Sequence, residues 1–109
     1  MAYSEAFADR IRAVVGDDPG VDERKMFGGI AFLIDGNMFV GIADDELMVR
    51  VGPDSWKEAL AHPHAREMDF TGKPMRGYVF VDAAGIAEDD DLRAWVERGL
   101  AFAGTLPPK

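Results

Sequence analysis

Gly29-Ile30-Ala31-Phe32-Leu33-Ile34-Asp35-Gly36-Asn37-Met38-Phe39-Val40-Gly41-Ile42-Ala43-Asp44-Asp45-Glu46-Leu47-Met48-Val49-Arg50-Val51 is the stretch on which the fold turns. Its apolar runs are divided by Asp35-Gly36 and by Asp44-Asp45, and an Asp-Gly pair between apolar runs is the strongest short-range hairpin signal. Strands are therefore expected from about Glu23 to Ile34, from Asn37 to Ala43 and from Glu46 to Val51. Gly28-Gly29, inside the first of them, marks a bulge or a close approach of backbone.

Two-residue turns set the register. Phe32 then faces Phe39, Ala31 faces Val40, Val40 faces Val49, and Phe39 faces Arg50. Side chains alternate across a strand, so this register puts Ala31, Leu33, Met38, Val40, Ile42, Leu47, Val49 and Val51 on a wholly apolar core face. The opposite face receives Ile30, Phe32, Ile34, Asn37, Phe39, Gly41, Met48 and Arg50, with Met26 continuing it, and is unusually apolar for a surface left to water. Two readings of that face stand. Either a helix or the tail covers it, or Met26, Phe32, Phe39, Met48 and Arg50 form a partner-binding or self-association surface, of the aromatic, Met and Arg composition that interfaces favour.

Around this meander, Phe7, Ile11, Val14 and Val15 repeat at helical spacing and predict a helix from about Ser4 to Val15, capped by Ser4 and stopped by Gly16. Gly52-Pro53-Asp54 opens a short helix through Trp56, Ala59 and Leu60, with Ser55 as a second capping serine, and His62-Pro63-His64 ends it. Strands near Arg66 to Phe70 and Gly77 to Asp82 follow, joined by a loop over Thr71 to Arg76. A final helix from about Asp90 to Gly104 carries Leu92, Trp95, Val96, Gly99, Leu100 and Ala103 on one stripe, with Glu88-Asp89-Asp90-Asp91 as its cap and dipole complement. Residues from about 105 to 109 read as a tail. The order α-β-β-β-α-β-β-α, with strands joined by hairpins, predicts one α+β domain over 1–109 with an antiparallel sheet and helices on one face.

Composition narrows function. The 109 residues carry 12 Lys and Arg against 20 Asp and Glu, a formal charge of −8. Phosphate backbones are repelled at long range by such a charge, so direct nucleic-acid binding is not expected. There is no cysteine, which excludes disulfides and thiolate zinc sites and suits a reducing, cytoplasmic compartment. No signal peptide or membrane span is expected. His62 and His64 flank Pro63 without a third ligand, the serines stand at helix starts, and Asp44-Asp45 belongs to a turn. No catalytic or metal constellation emerges, and neither an enzyme nor a cofactor is expected. A rival binding site, for a small anion, would use Arg50 with Lys73 and Arg76.

Lys25-Met26-Phe27-Gly28-Gly29, Gly36-Asn37-Met38-Phe39, Leu47-Met48-Val49-Arg50-Val51-Gly52, Met68-Asp69-Phe70-Thr71-Gly72-Lys73-Pro74-Met75 and the closing Trp95-Val96 helix resemble, in order and spacing, the TfoX N-terminal domain family, named for bacterial competence regulators. The resemblance runs over nearly the whole chain. It implies a two-layer α-β(3)-α-β(2)-α fold with a mainly antiparallel sheet, similar to secretion chaperones, in a bacterial cytosolic protein. It implies no catalytic residue or cofactor, and competence regulators of this type carry a second, C-terminal domain. The expected function is a non-enzymatic protein-interaction module, acting on a protein partner or as a homodimer. The alternatives are the anion binder and an accessory component of a transcription or competence regulator.

Overall fold

In the computed structural model, which describes residues 5–16, 18–26, 29–43, 46–67 and 76–108, six strands form a single antiparallel sheet. The chain runs α1 (Glu5–Val15), β1 (Val21–Met26), β2 (Gly29–Ile34), β3 (Asn37–Ala43), β4 (Glu46–Arg50), α2 (Trp56–Leu60), β5 (Ala65–Glu67), β6 (Tyr78–Val81), a 3-10 turn over Ala83–Ile86, and α3 (Asp89–Ala103). The sheet order is β1-β2-β3-β4-β6-β5, so β6 inserts between β4 and the short edge strand β5. The expected α+β architecture is present. Its meander has four strands rather than three, because the segment expected as one strand from Glu23 to Ile34 is a hairpin in which Met26 pairs with Gly29.

Gly29 explains why the second arm begins there. A Cβ on it would lie 2.0 Å from the Ile42 carbonyl oxygen, so only glycine permits β2 to approach β3 this closely. Close approach was one of the two roles expected for this glycine pair.

The register departs from expectation at one residue. Ile34 pairs with Asn37 and Leu33 with Met38, but Phe32 then pairs with Val40 and Ala31 with Gly41, leaving Phe39 as the extra residue of a β-bulge. An extra residue reverses which face the rest of the strand presents relative to its neighbour. From Val40 onward β3 and β4 pair as expected, Val40 with Val49 and Ala43 with Glu46. Consequently Ile30 and Phe32, not Ala31 and Leu33, join Val40, Ile42, Leu47 and Val49 in the core. Phe32 and Phe39 are fully buried there, which removes both from the partner surface expected of them.

All three helices feed this one core. Phe7, Ala8 and Ile11 enter from α1, Ala59 from α2, and Leu92, Trp95, Val96 and Ala103 from α3, against Val79 and Val81 of β6 as well as the meander. Burial of this kind contributes roughly 25 cal/mol per Å² of apolar surface, so this side of the sheet dominates stability. Gly99 lets α3 settle on the bulge: a Cβ there would stand 2.4 Å from the Phe39 carbonyl oxygen. After α3, the tail is held by the buried Asn37, whose amide donates to the Pro107 carbonyl at 2.9 Å.

Helix ends follow the sequence in part. Gly16 stops α1 in the left-handed region (φ +65), its amide donating to the Arg12 carbonyl. Asp89, Asp90 and Asp91 occupy the first turn of α3, where the helix dipole favours carboxylates. Neither Glu88 nor Ser55 makes a side-chain capping bond, so the capping roles expected there are not realised. The Ser4 cap, the Asp44-Asp45 turn, Phe70, Lys73 and most of the Thr71–Arg76 loop lie outside the described residues.

A charged clip joins α1 to β1. Arg12 donates from Nε to Glu23 at 2.8 Å and from Nη1 to Asp9 at 2.6 Å. The guanidinium holds the Glu23 carboxyl below its ordinary value, mainly through its hydrogen bonds to Glu23 itself. A carboxylate with a lowered folded-state pKa stabilises above its unfolded value and loses that contribution as pH falls through the folded one. A Glu23→Gln variant is therefore expected to melt below the native protein at neutral pH, with the gap closing in acid. Paired thermal melts across pH check this, and a gap independent of pH contradicts it.

Candidate functional site

The corrected register defines what lies on the side of the sheet away from the helices. Ala31 and Leu33 of β2, Met38 and Gly41 of β3, Met48 and Arg50 of β4, and Tyr78 and Phe80 of β6 alternate with core residues and share this second face. Ala31, Leu33 and Phe80 are buried, at 1%, 6% and 7% exposure, yet none belongs to the helix-side cluster. They form an apolar floor. Met38, Met48, Arg50 and Tyr78 are half-buried on it.

Backbone chemistry builds this floor. Gly41 leaves a gap that the Met48 side chain fills, since a Cβ at residue 41 would meet Met48 Cε at 2.8 Å. A flexible thioether laid over a glycine presents an adaptable apolar surface, the kind that suits recognition of varied partners. Toward the β5 edge the Arg66 guanidinium stands 4.8 Å over the Phe80 ring and pairs with Glu46. At the far end Arg50 lies over the rings of Tyr78 at 5.7 Å and Phe102 at 5.5 Å. The edges are polar: β1 reads Val-Asp-Glu-Arg-Lys-Met and β5 Ala-Arg-Glu, and charged edge strands discourage pairing with another sheet.

Of the residues expected to bind a partner, Met48 and Arg50 thus leave β4 on the same side of the sheet, both half-buried, with Arg50 reaching the Phe102 ring at the end of α3, whereas Phe32 and Phe39 are core. Met26 closes β1 opposite Gly29, and its side chain is outside the described set. Leu33, Met38, Tyr78 and Phe80 were missed as members of this face. Side-chain size could have found them. Ile30, Phe32 and Ile34 offer far more apolar area than Gly29, Ala31 and Leu33, so the larger set belongs inside, and continuity with Val40 and Ile42 then requires a one-residue slip.

Of the anion-binding trio, Arg50 and Arg76 are described and Lys73 is not. His62 and His64 address separate partners, the Arg98 guanidinium at 3.0 Å and Asp82 at 3.1 Å. Among the described residues no group of three ligating side chains could hold a metal ion, and no helix is long and apolar enough to cross a membrane.

A single antiparallel sheet with its helices on one side and an apolar, Met-lined surface on the other defines the class of this protein as a two-layer α+β domain. The family model described as the TfoX N-terminal domain matches residues 15–103, and the chain belongs to that family. Comparison with curated proteins gives no match.

Proposed function

We propose that this chain is a non-enzymatic protein-interaction module that binds through the second face of its sheet. One observation carries the reading: Leu33 and Ala31 lie on the side opposite the helices, outside their core, beneath the half-buried Met38 and Met48. Interfaces combine such an apolar centre with a charged rim, and Arg50 and Arg66 supply the rim here. The charge of −8 and the absence of cysteine support a cytoplasmic protein whose partner is not nucleic acid.

A photo-crosslinking side chain placed at Met48 tests this. It should join the domain to a protein, either a second copy or another chain, with a yield that added salt leaves unchanged, because apolar contacts are not screened. The same group at exposed Arg93 on α3 is the control. Equal yields from positions 48 and 93 would contradict the proposal, as would submicromolar affinity for DNA at about physiological salt.

A further inference from the structure

Arg50 is set apart from the other half-buried arginines. Arg10 pairs with Asp89, Arg12 with Glu23 and Arg98 with Glu58, whereas Arg50 forms no ion pair with any described residue. In an acidic chain, a half-buried guanidinium with no carboxylate partner among the described residues is unusual. Its position is nevertheless constructed. Gly52 (φ +87) receives the Phe102 ring so closely that a Cβ would lie 2.3 Å from it, which brings that ring beside Arg50 from α3. Tyr78, paired with Arg50 across the ladder, supplies the other ring. The amides of Val51 and Gly52 both donate to the Gly77 carbonyl, at 2.8 and 3.0 Å, and fasten the end of the ladder beneath these side chains.

A guanidinium with aromatic rings against it is restrained in orientation, so its planar N–H fork is pre-organised for an oxyanion. Arg76, one residue before Gly77 at the same end of the β4–β6 ladder, is exposed and also lacks an ion pair with a described residue. Two cations without a carboxylate partner among the described residues suit a dianion better than a monocarboxylate. Repulsion from the net charge grows with the charge of the ligand, which favours a small phosphate over a polymer of them. Phe102 also lines a neighbouring groove of about 380 Å³ with Asp54, Ser55, Arg98 and Thr105, room for an uncharged organic body attached to the anion, whose phosphate would stay at Arg50 away from the Asp54 carboxylate.

We propose that Arg50, restrained by Tyr78 and Phe102 and assisted by Arg76, binds a phosphate group, either free or carried by a small molecule. The site shares Arg50 with the rim of the proposed interaction face, so Arg76, which is not part of that face, separates the two. Loss of anion binding in Arg76→Ala would leave crosslinking from position 48 untouched, and failed crosslinking would leave the anion site standing.

Amide chemical shifts followed during titration with inorganic phosphate, phenyl phosphate and acetate, at constant low ionic strength, test it. Saturable shifts are expected at Arg50, Val51, Gly77 and Tyr78 with both phosphates, and much weaker ones with acetate. Tighter binding of phenyl phosphate would identify a small organic phosphate as the source, and equal binding the free anion. Arg50→Lys should bind at least ~tenfold more weakly because it keeps the charge and loses the fork. Arg76→Ala, an exposed change that leaves the fold intact, should weaken binding as well. Shifts that do not saturate, acetate binding as well as phosphate, or undiminished binding in both variants would overturn the proposal.

Discussion

Phe39→Ala is expected to destabilise the protein by about 3–5 kcal/mol, the cost of removing a large ring from a closed core. Phe39 is fully buried, on the bulge that turns β3 toward the helices, and α3 lies on its carbonyl through Gly99. Relaxation is limited because the surrounding side chains, Phe32 and Val40 among them, come from a sheet already pinned by its ladder. Equilibrium urea unfolding of the variant checks the value. A loss within about 0.5 kcal/mol, as surface changes give, would mean that Phe39 faces solvent and the bulge is misplaced.

Gly99→Ala sets two effects against each other. Alanine in a helix interior gains about 1 kcal/mol over glycine from propensity alone. Here its methyl would stand 2.4 Å from the Phe39 carbonyl oxygen and 3.3 Å from a Val40 methyl, and a backbone atom in a hydrogen-bonded strand cannot step aside as a flexible side chain would. Separating α3 from β3 also loosens Trp95, Val96 and Ala103, which enter the core from the same helix. The clash outweighs the propensity, and a net loss of about 2 kcal/mol is expected, within the range for overpacked sites. A variant more stable than the parent by the propensity term would show that α3 does not rest on the bulge.

Most of the fold was legible in local patterns. The Asp35-Gly36 turn, the spacing of Phe7 and Ile11 in α1, and the stripe from Leu92 to Ala103 each depend on neighbours a few residues away, and each placed its element correctly. The β1–β2 hairpin was missed because Gly28-Gly29 reads equally as a strand irregularity or a turn, and only pairing with β3 decides. The short 3-10 turn over Ala83–Ile86 was missed too. The bulge at Phe39 is a further step from legibility, since alternation accepts either register and the decision rests on packing between α3, Phe39 and Phe32. For the same reason only part of the set expected on one face shares it. Met48 and Arg50 follow from the β3–β4 pairing, which was correct, while Phe32 and Phe39 depended on β2 and the start of β3, where the slip occurs.

Adjacent residues on β4 bring the account to a single comparison. Val49 is fully buried against the helices, and Met48 lies half-buried on the opposite face. Urea unfolding of Val49→Ala and Met48→Glu side by side therefore measures the division of the sheet into a core face and a recognition face. Val49→Ala should lose about 2–4 kcal/mol through vanished contacts and the cavity left behind. Met48→Glu, although it places a charge where an apolar group stood, should lose less than about 1 kcal/mol, because the carboxylate can reach water from that side. If Met48→Glu unfolds the protein as readily as Val49→Ala, the second face is interior, and the interaction surface proposed for it does not exist.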